Sequence, residues 1–138
     1  DLKNVILSKS KVKCIEQSLS NFLPLKTSLK QIWLFHQPPK HTIADLCKTG
    51  HHVGSVAVLN AIKRDNPFIT IHGHIHETVK LNNGKFAETI KCENGKTSFA
   101  FAVGNDYSAA GASLLLIPLI DESKAKRILV TTKGITIK

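Results

Sequence analysis

Two short apolar runs that each end in histidine constrain the fold more than any other feature of the chain. Gln31-Ile32-Trp33-Leu34-Phe35 leads into His36 and is halted by Pro38-Pro39, while Phe68-Ile69-Thr70-Ile71 leads into His72. Continuous apolar runs of this length read as strands buried on both faces. Between them, residues 54–64 carry Val56, Ala57, Leu59 and Ile62 behind Ser55, which predicts a helix opening near that serine. Upstream, Val12, Ile15, Leu19, Phe22 and Leu23 recur every three or four residues between Ser10 and Pro24, predicting an amphipathic helix over 10–23. The first part of the chain is therefore β/α, with a helix between two strands whose carboxyl ends carry His36 and His72.

Beyond His76 the pattern changes. Asn83-Gly84 and Asn94-Gly95 are hairpin-type turn signals between alternating segments, which predicts an antiparallel meander. Further strands are expected over 98–103, 113–120, 127–132 and 135–137, with Gly104 and Gly111 bracketing a loop and Lys133-Gly134 forming a last turn. The whole reads as one mixed α/β unit. With 138 residues, 42% of them hydrophobic, it can build a single sizeable core. The longest apolar run, 114–120, contains Pro118 and falls far short of the roughly 20 residues of a membrane span, so no membrane partner is expected. The start Asp1-Leu2-Lys3-Asn4 lacks the order of a secretory signal and the chain holds no Met, so a processed protein, or a segment of a longer one, is expected. Cys14, Cys47 and Cys92 are odd in number and far apart, which argues against a disulfide framework or a metal knuckle and for a reducing, cytoplasmic location. The net charge of +9 suits a polyanionic partner, but the basic residues are scattered singly, and a dedicated nucleic-acid function is disfavoured.

All seven histidines, His36, His41, His51, His52, His72, His74 and His76, lie between positions 36 and 76. Neutral imidazole is the commonest protein ligand for transition metals. His72, His74 and His76 alternate around Gly73, and an extended backbone there would send their side chains from one face. Two strand ends of an α/β sheet deliver His36, His74 and His76 to one crevice, where ligands bind, so these three are the candidate metal ligands. His72 is read as a strand residue or a partner orienting a ligand, and His41 and His51 as hydrogen-bonded surface residues.

The strings His36-Gln37-Pro38-Pro39 and Gly73-His74-Ile75-His76-Glu77 resemble the two C-terminal motifs of the calcineurin-like metallophosphoesterases, in the same order and at similar spacing. Asp45, Gly50 and His52-Val53-Gly54-Ser55 are similar to the intervening segment of bacterial and archaeal members. The resemblance runs over about residues 32–104. It implies a four-layer αββα sandwich of mixed sheets with an antiparallel C-terminal meander, and a dinuclear hydrolase of phosphomonoesters or phosphodiesters. It further implies that His36 and His74 share one divalent ion and His76 serves a second, with Mn, Fe, Zn or Co as candidates. The family's earlier motifs, Asp-x-His, Gly-Asp and Gly-Asn-His-Asp/Glu, do not occur here, and with them the bridging carboxylate and the catalytic histidine are missing. Residues 1–138 are therefore expected to be the C-terminal half of a domain, inactive alone and completed by an N-terminal half or a second chain. Glu77 is a candidate for orienting a ligand histidine, against simple surface exposure. His52 and Ser55 are candidates for orienting a ligand or touching the substrate's phosphate, although Ser55 also suits an ordinary helix cap. Asp45 suits a cleft residue or a turn-former, and Trp33 the core. The competing function is a noncatalytic metal-binding or interaction module that uses the basic surface.

Overall fold

A computed structural model describes residues 15–20, 29–105, 111–118, 120–131 and 133–137. Helix α1 (Ile15–Ser20) precedes β1 (Ile32–Phe35), a 3₁₀ turn (Ile43–Asp45), α2 (Val56–Asp65), β2 (Ile69–His72) and α3 (Thr78–Leu81). Then come β3 (Ala87–Lys91), β4 (Thr97–Ala102), β5 (Ala112–Leu116), a second 3₁₀ turn (Glu122–Lys124), β6 (Lys126–Thr131) and β7 (Gly134–Ile137). The remainder of the helix expected over 10–23 lies outside the described residues.

The expected β-α-β unit is present. Strands β1 and β2 are parallel, with Phe35 level with His72, so both strands end at the same height. The helix joining them is capped by Ser55, whose hydroxyl accepts from Val58 N–H at 3.3 Å, and it ends at Asn66 in the left-handed conformation. Its buried Val58 and Ile62 pack with Ile90 and Ala100, joined by Leu19, Phe35 and Leu59. Ala44 from the 3₁₀ turn and Val79 from α3 pack with Ala102 and Phe86. In-register neighbours across a sheet share a face, so Trp33, Phe35, Thr70, His72, Ala100 and Ala102 all line the face that these helical pieces cover.

Three expectations need correction. The strand β1 is not buried on both faces. It is the edge of a four-stranded mixed sheet of order β1-β2-β4-β3, and Ile32 and Leu34 on its second face are 55% and 75% exposed. Only Trp33 is buried, its indole N–H donating to Gln31 Oε1. The segment after His76 is not one meander, because β4 pairs parallel with β2 while pairing antiparallel with β3. The meander is confined to the three-stranded antiparallel sheet β5-β6-β7. Finally, Asn83-Gly84 is not a hairpin turn. Both residues have positive φ and close the short helix α3, with Gly84 N–H bonded to Val79 O, whereas Asn94-Gly95 does turn β3 into β4.

The two sheets meet where Arg127, fully buried on β6, donates from its guanidinium to Gly104 O, which also accepts from Ser113 Oγ at 3.2 Å. The outer face of the meander gathers Leu114, Leu116, Ile128, Val130, Ile135 and Ile137, with Lys126 opposite Leu116, and all of the apolar ones but Ile128 are substantially exposed. Among the described residues no helix is long and apolar enough to cross a membrane. Cys47 and Cys92 are free thiols, and Cys14 lies outside the described residues.

Candidate metal centre

Strand ends deliver the histidines, and a strained turn aims them. His36 follows β1 and His74 follows β2 by two residues, and His74 occupies the left-handed region at φ 65°. Ile75 N–H bonds back to Gly73 O at 2.8 Å, closing a γ-turn around His74. A γ-turn with a positive-φ centre is rare and strained, and residues held in such conformations cluster at functional sites. The strain has a visible result: His74 Nδ1 lies 3.1 Å from His36 Nε2, with the rings edge to face at 4.9 Å. Two imidazoles bound to one ion at about 2.1 Å each would hold their nitrogens this far apart at a ligand–metal–ligand angle of about 95°. The contact is itself a hydrogen bond, one ring's N–H on the other's nitrogen, and that proton would have to leave for both nitrogens to take adjacent positions around one ion. Gly73 is not required there by space, since a Cβ would make ordinary contact with His36 at 3.7 Å.

The extended backbone that would place His72, His74 and His76 on one face does not occur, because the turn interrupts it. His76 is exposed, and its Nδ1 donates to Asn105 Oδ1, which fixes the lone pair on Nε2. Asn105 reaches it because Gly104 brings the end of β4 against the turn; a Cβ at Gly104 would fall 2.5 Å from Ile75 O and 2.6 Å from His76 O. The structure thus brings His36 and His74 together and holds His76 on a separate partner. Among the described residues no group of three or more His, Cys, Asp or Glu side chains is arranged to hold a metal ion.

His72 is buried in the sheet as a strand residue, stacked on Phe35. Its Nδ1–H donates to Gln37 O at 3.3 Å, and its Nε2 accepts from Thr70 Oγ1 at 2.8 Å. Burial pushes its pKa down to about 4, so it stays neutral, braced beneath the loop that leaves His36. Glu77 is not a surface residue: it is 7% exposed, and its Oε1 accepts from Lys48 N–H at 3.1 Å. Ser55 serves as the helix cap and as a backbone staple, its N–H on Pro38 O at 2.8 Å and its carbonyl accepting from Lys40 N–H.

Asp45 carries far more than its sequence context suggested. Fully buried, it accepts from Thr42 N–H and His52 Nδ1 on one oxygen, at 3.0 and 2.6 Å, and from His41 N–H and Gly54 N–H on the other, at 3.0 Å each. The available signal was the Thr42-x-x-Asp45 spacing of a capping box, which the 3₁₀ turn realises. Gly54 completes the arrangement, since a Cβ there would lie 2.7 Å from Pro39 O and 2.8 Å from the Asp45 carboxylate. In comparisons with known proteins, no family model, no curated protein and no solved structure matches the chain.

Proposed function

We propose that this chain is the C-terminal half of a calcineurin-like, dinuclear metal-dependent phosphoesterase, a hydrolase of phosphomonoesters or phosphodiesters whose complete domain is a four-layer αββα sandwich. The observation that carries this reading is the convergence of His36 Nε2 and His74 Nδ1, 3.1 Å apart at the ends of adjacent parallel strands, with His74 held at positive φ to achieve it. In this reading His36 and His74 ligate one ion and His76 the other, with Mn, Fe, Zn or Co suited to the mixed histidine and carboxylate set. When bound, such ions activate water and neutralise charge on the phosphate oxygens. The chain's own residues orient the rings: Asn105 accepts from His76 Nδ1, and the buried His72 holds the Gln37 carbonyl next to His36.

Two imidazoles hold one ion weakly, because stable centres use three or four protein ligands. The isolated chain is therefore expected to bind metal without turnover, and the acidic ligands are expected from an N-terminal half or a complementing chain. Calorimetric titration with Zn or Mn tests the site. Saturable heat at about one ion per chain, abolished by His36→Ala or His74→Ala, is the expected result, and heat no greater than dilution rejects it. The rival reading, a noncatalytic metal-binding or interaction module, draws on the engagement of His76 by Asn105. It predicts no metal-stimulated hydrolysis of a chromogenic phosphodiester even when the Asp-x-His and Gly-Asn-His segments are supplied. The phosphoesterase reading predicts turnover under those conditions, lost in His74→Ala.

A further inference from the structure

The loop between β1 and α2 carries a second imidazole pair, built differently. His41 and His52 meet edge to face at 5.3 Å, and His41, like His74, is a histidine in the left-handed region, at φ 58°. Non-glycine residues with positive φ cluster at functional sites. Here two of the four among the described residues are histidines, each packed on another histidine. The backbone at His41 is held there by its N–H on Asp45 Oδ2.

Asp45 fixes the chemistry of His52. An ionised carboxylate only accepts, so the 2.6 Å contact requires the proton of His52 on Nδ1. Nε2 therefore faces away from Asp45, on a side chain that is 39% exposed. The surroundings carry both signs, the Asp45 carboxylate on Nδ1 and Glu88 within electrostatic reach on one side and Lys40 on the other. Lys40 Nζ is fixed on His52 O at 2.9 Å, and His41 flanks the ring. The same loop is stapled to the segment that leaves His36, through Gln37 Nε2 on Val53 O at 3.1 Å and Ser55 N–H on Pro38 O at 2.8 Å. The Lys40 ammonium held on the His52 carbonyl favours an anion over a metal cation, and no third ligand side chain joins His41 and His52 among the described residues.

We infer that the Asp45-braced His52, with Lys40 and His41 beside it, is a binding site for the phosphate group of the substrate, His52 Nε2 contacting a phosphate oxygen and Asp45 acting as a positioning residue. This rests on the phosphoesterase reading for the identity of the anion as a substrate group. One proton lies between Nε2 and the phosphate oxygen, brought by the imidazolium or by the monoprotonated phosphate, while the Nδ1 proton stays on Asp45. No covalent bond changes.

The test follows the side-chain nitrogens of all seven histidines by long-range proton–nitrogen correlation in the metal-free chain, titrated with inorganic phosphate at constant ionic strength. The expected result is a saturable shift of His52 Nε2 larger than that of any other histidine. His52→Gln should weaken phosphate binding by about tenfold, the worth of one charge-assisted hydrogen bond. Asp45→Asn should weaken it as well, with the Nδ1 proton signal of His52 altered. Should Asp45→Asn fail to fold, the exposed His52→Gln decides alone. Equal small shifts at every exposed histidine, a dominant shift at His36 and His74, or a His52 shift with Zn and none with phosphate would each overturn the inference. Those outcomes leave the calorimetric result at His36 and His74 untouched, so failure here and failure of the phosphoesterase reading are separable.

Discussion

His72 is where a single side chain ties the pH dependence of stability to the candidate site. Its pKa is about 4 in the folded chain and about 6.5 when unfolded, so between those values the unfolded state binds the extra proton. Stability contributed by neutral His72 is fully present above about pH 6.5 and is lost as the pH falls toward 4, by up to about 3 kcal/mol. Urea unfolding across this window should show that loss, and His72→Gln should flatten it; an unchanged slope in the variant rejects the assignment. The sequence made His36, His74 and His76 legible as candidates through their clustering and through the strand ends, and it read His72 as a strand residue, which it is in β2. It could not show that His74 sits at positive φ, because that conformation comes from the Gly73–Ile75 turn and not from any residue preference. Nor could it weigh Asp45, whose four partners come from positions 41, 42, 52 and 54 and converge only once the loop folds back.

Among the elements, the β-α-β unit and most of the later strands were readable, because apolar runs and serine caps are local signals. The burial of β1 was not. A four-residue apolar strand looks the same at the edge of a sheet as at its centre, and which it is depends on how many strands pair beside it. At this edge Ile32 and Leu34 stand exposed on one face, and such edges are templates for further pairing. Leu34→Lys should therefore change the unfolding free energy by less than about 0.5 kcal/mol while lowering self-association in sedimentation equilibrium. A large loss of stability would show that Leu34 is packed in the folded chain. The two Asn-Gly pairs carry the same lesson: identical turn signals end a helix in one place and make a hairpin in the other, according to whether they follow a helical turn, as after α3, or a strand, as after β3.

Across the whole molecule, helical pieces cover one face of the mixed sheet, and the meander leaves its own outer face apolar and open. Exposed apolar area spread over three strands marks a surface suited to a further layer, which agrees with the proposal of a half-domain. The link between the sheets reaches further than its size suggests. Arg127 on β6 grips Gly104 O, the next residue is Asn105, and Asn105 orients His76. The outer sheet is thus geared, through Arg127 and Ser113 on Gly104 O, to the segment that carries Asn105. Arg127→Leu should release the Nδ1 proton signal of His76 in the same nitrogen correlation spectra while leaving that of the buried His72 in place. If His76 is unmoved, the gearing does not exist. If it moves, the orientation of His76 reports on the Arg127–Gly104 link.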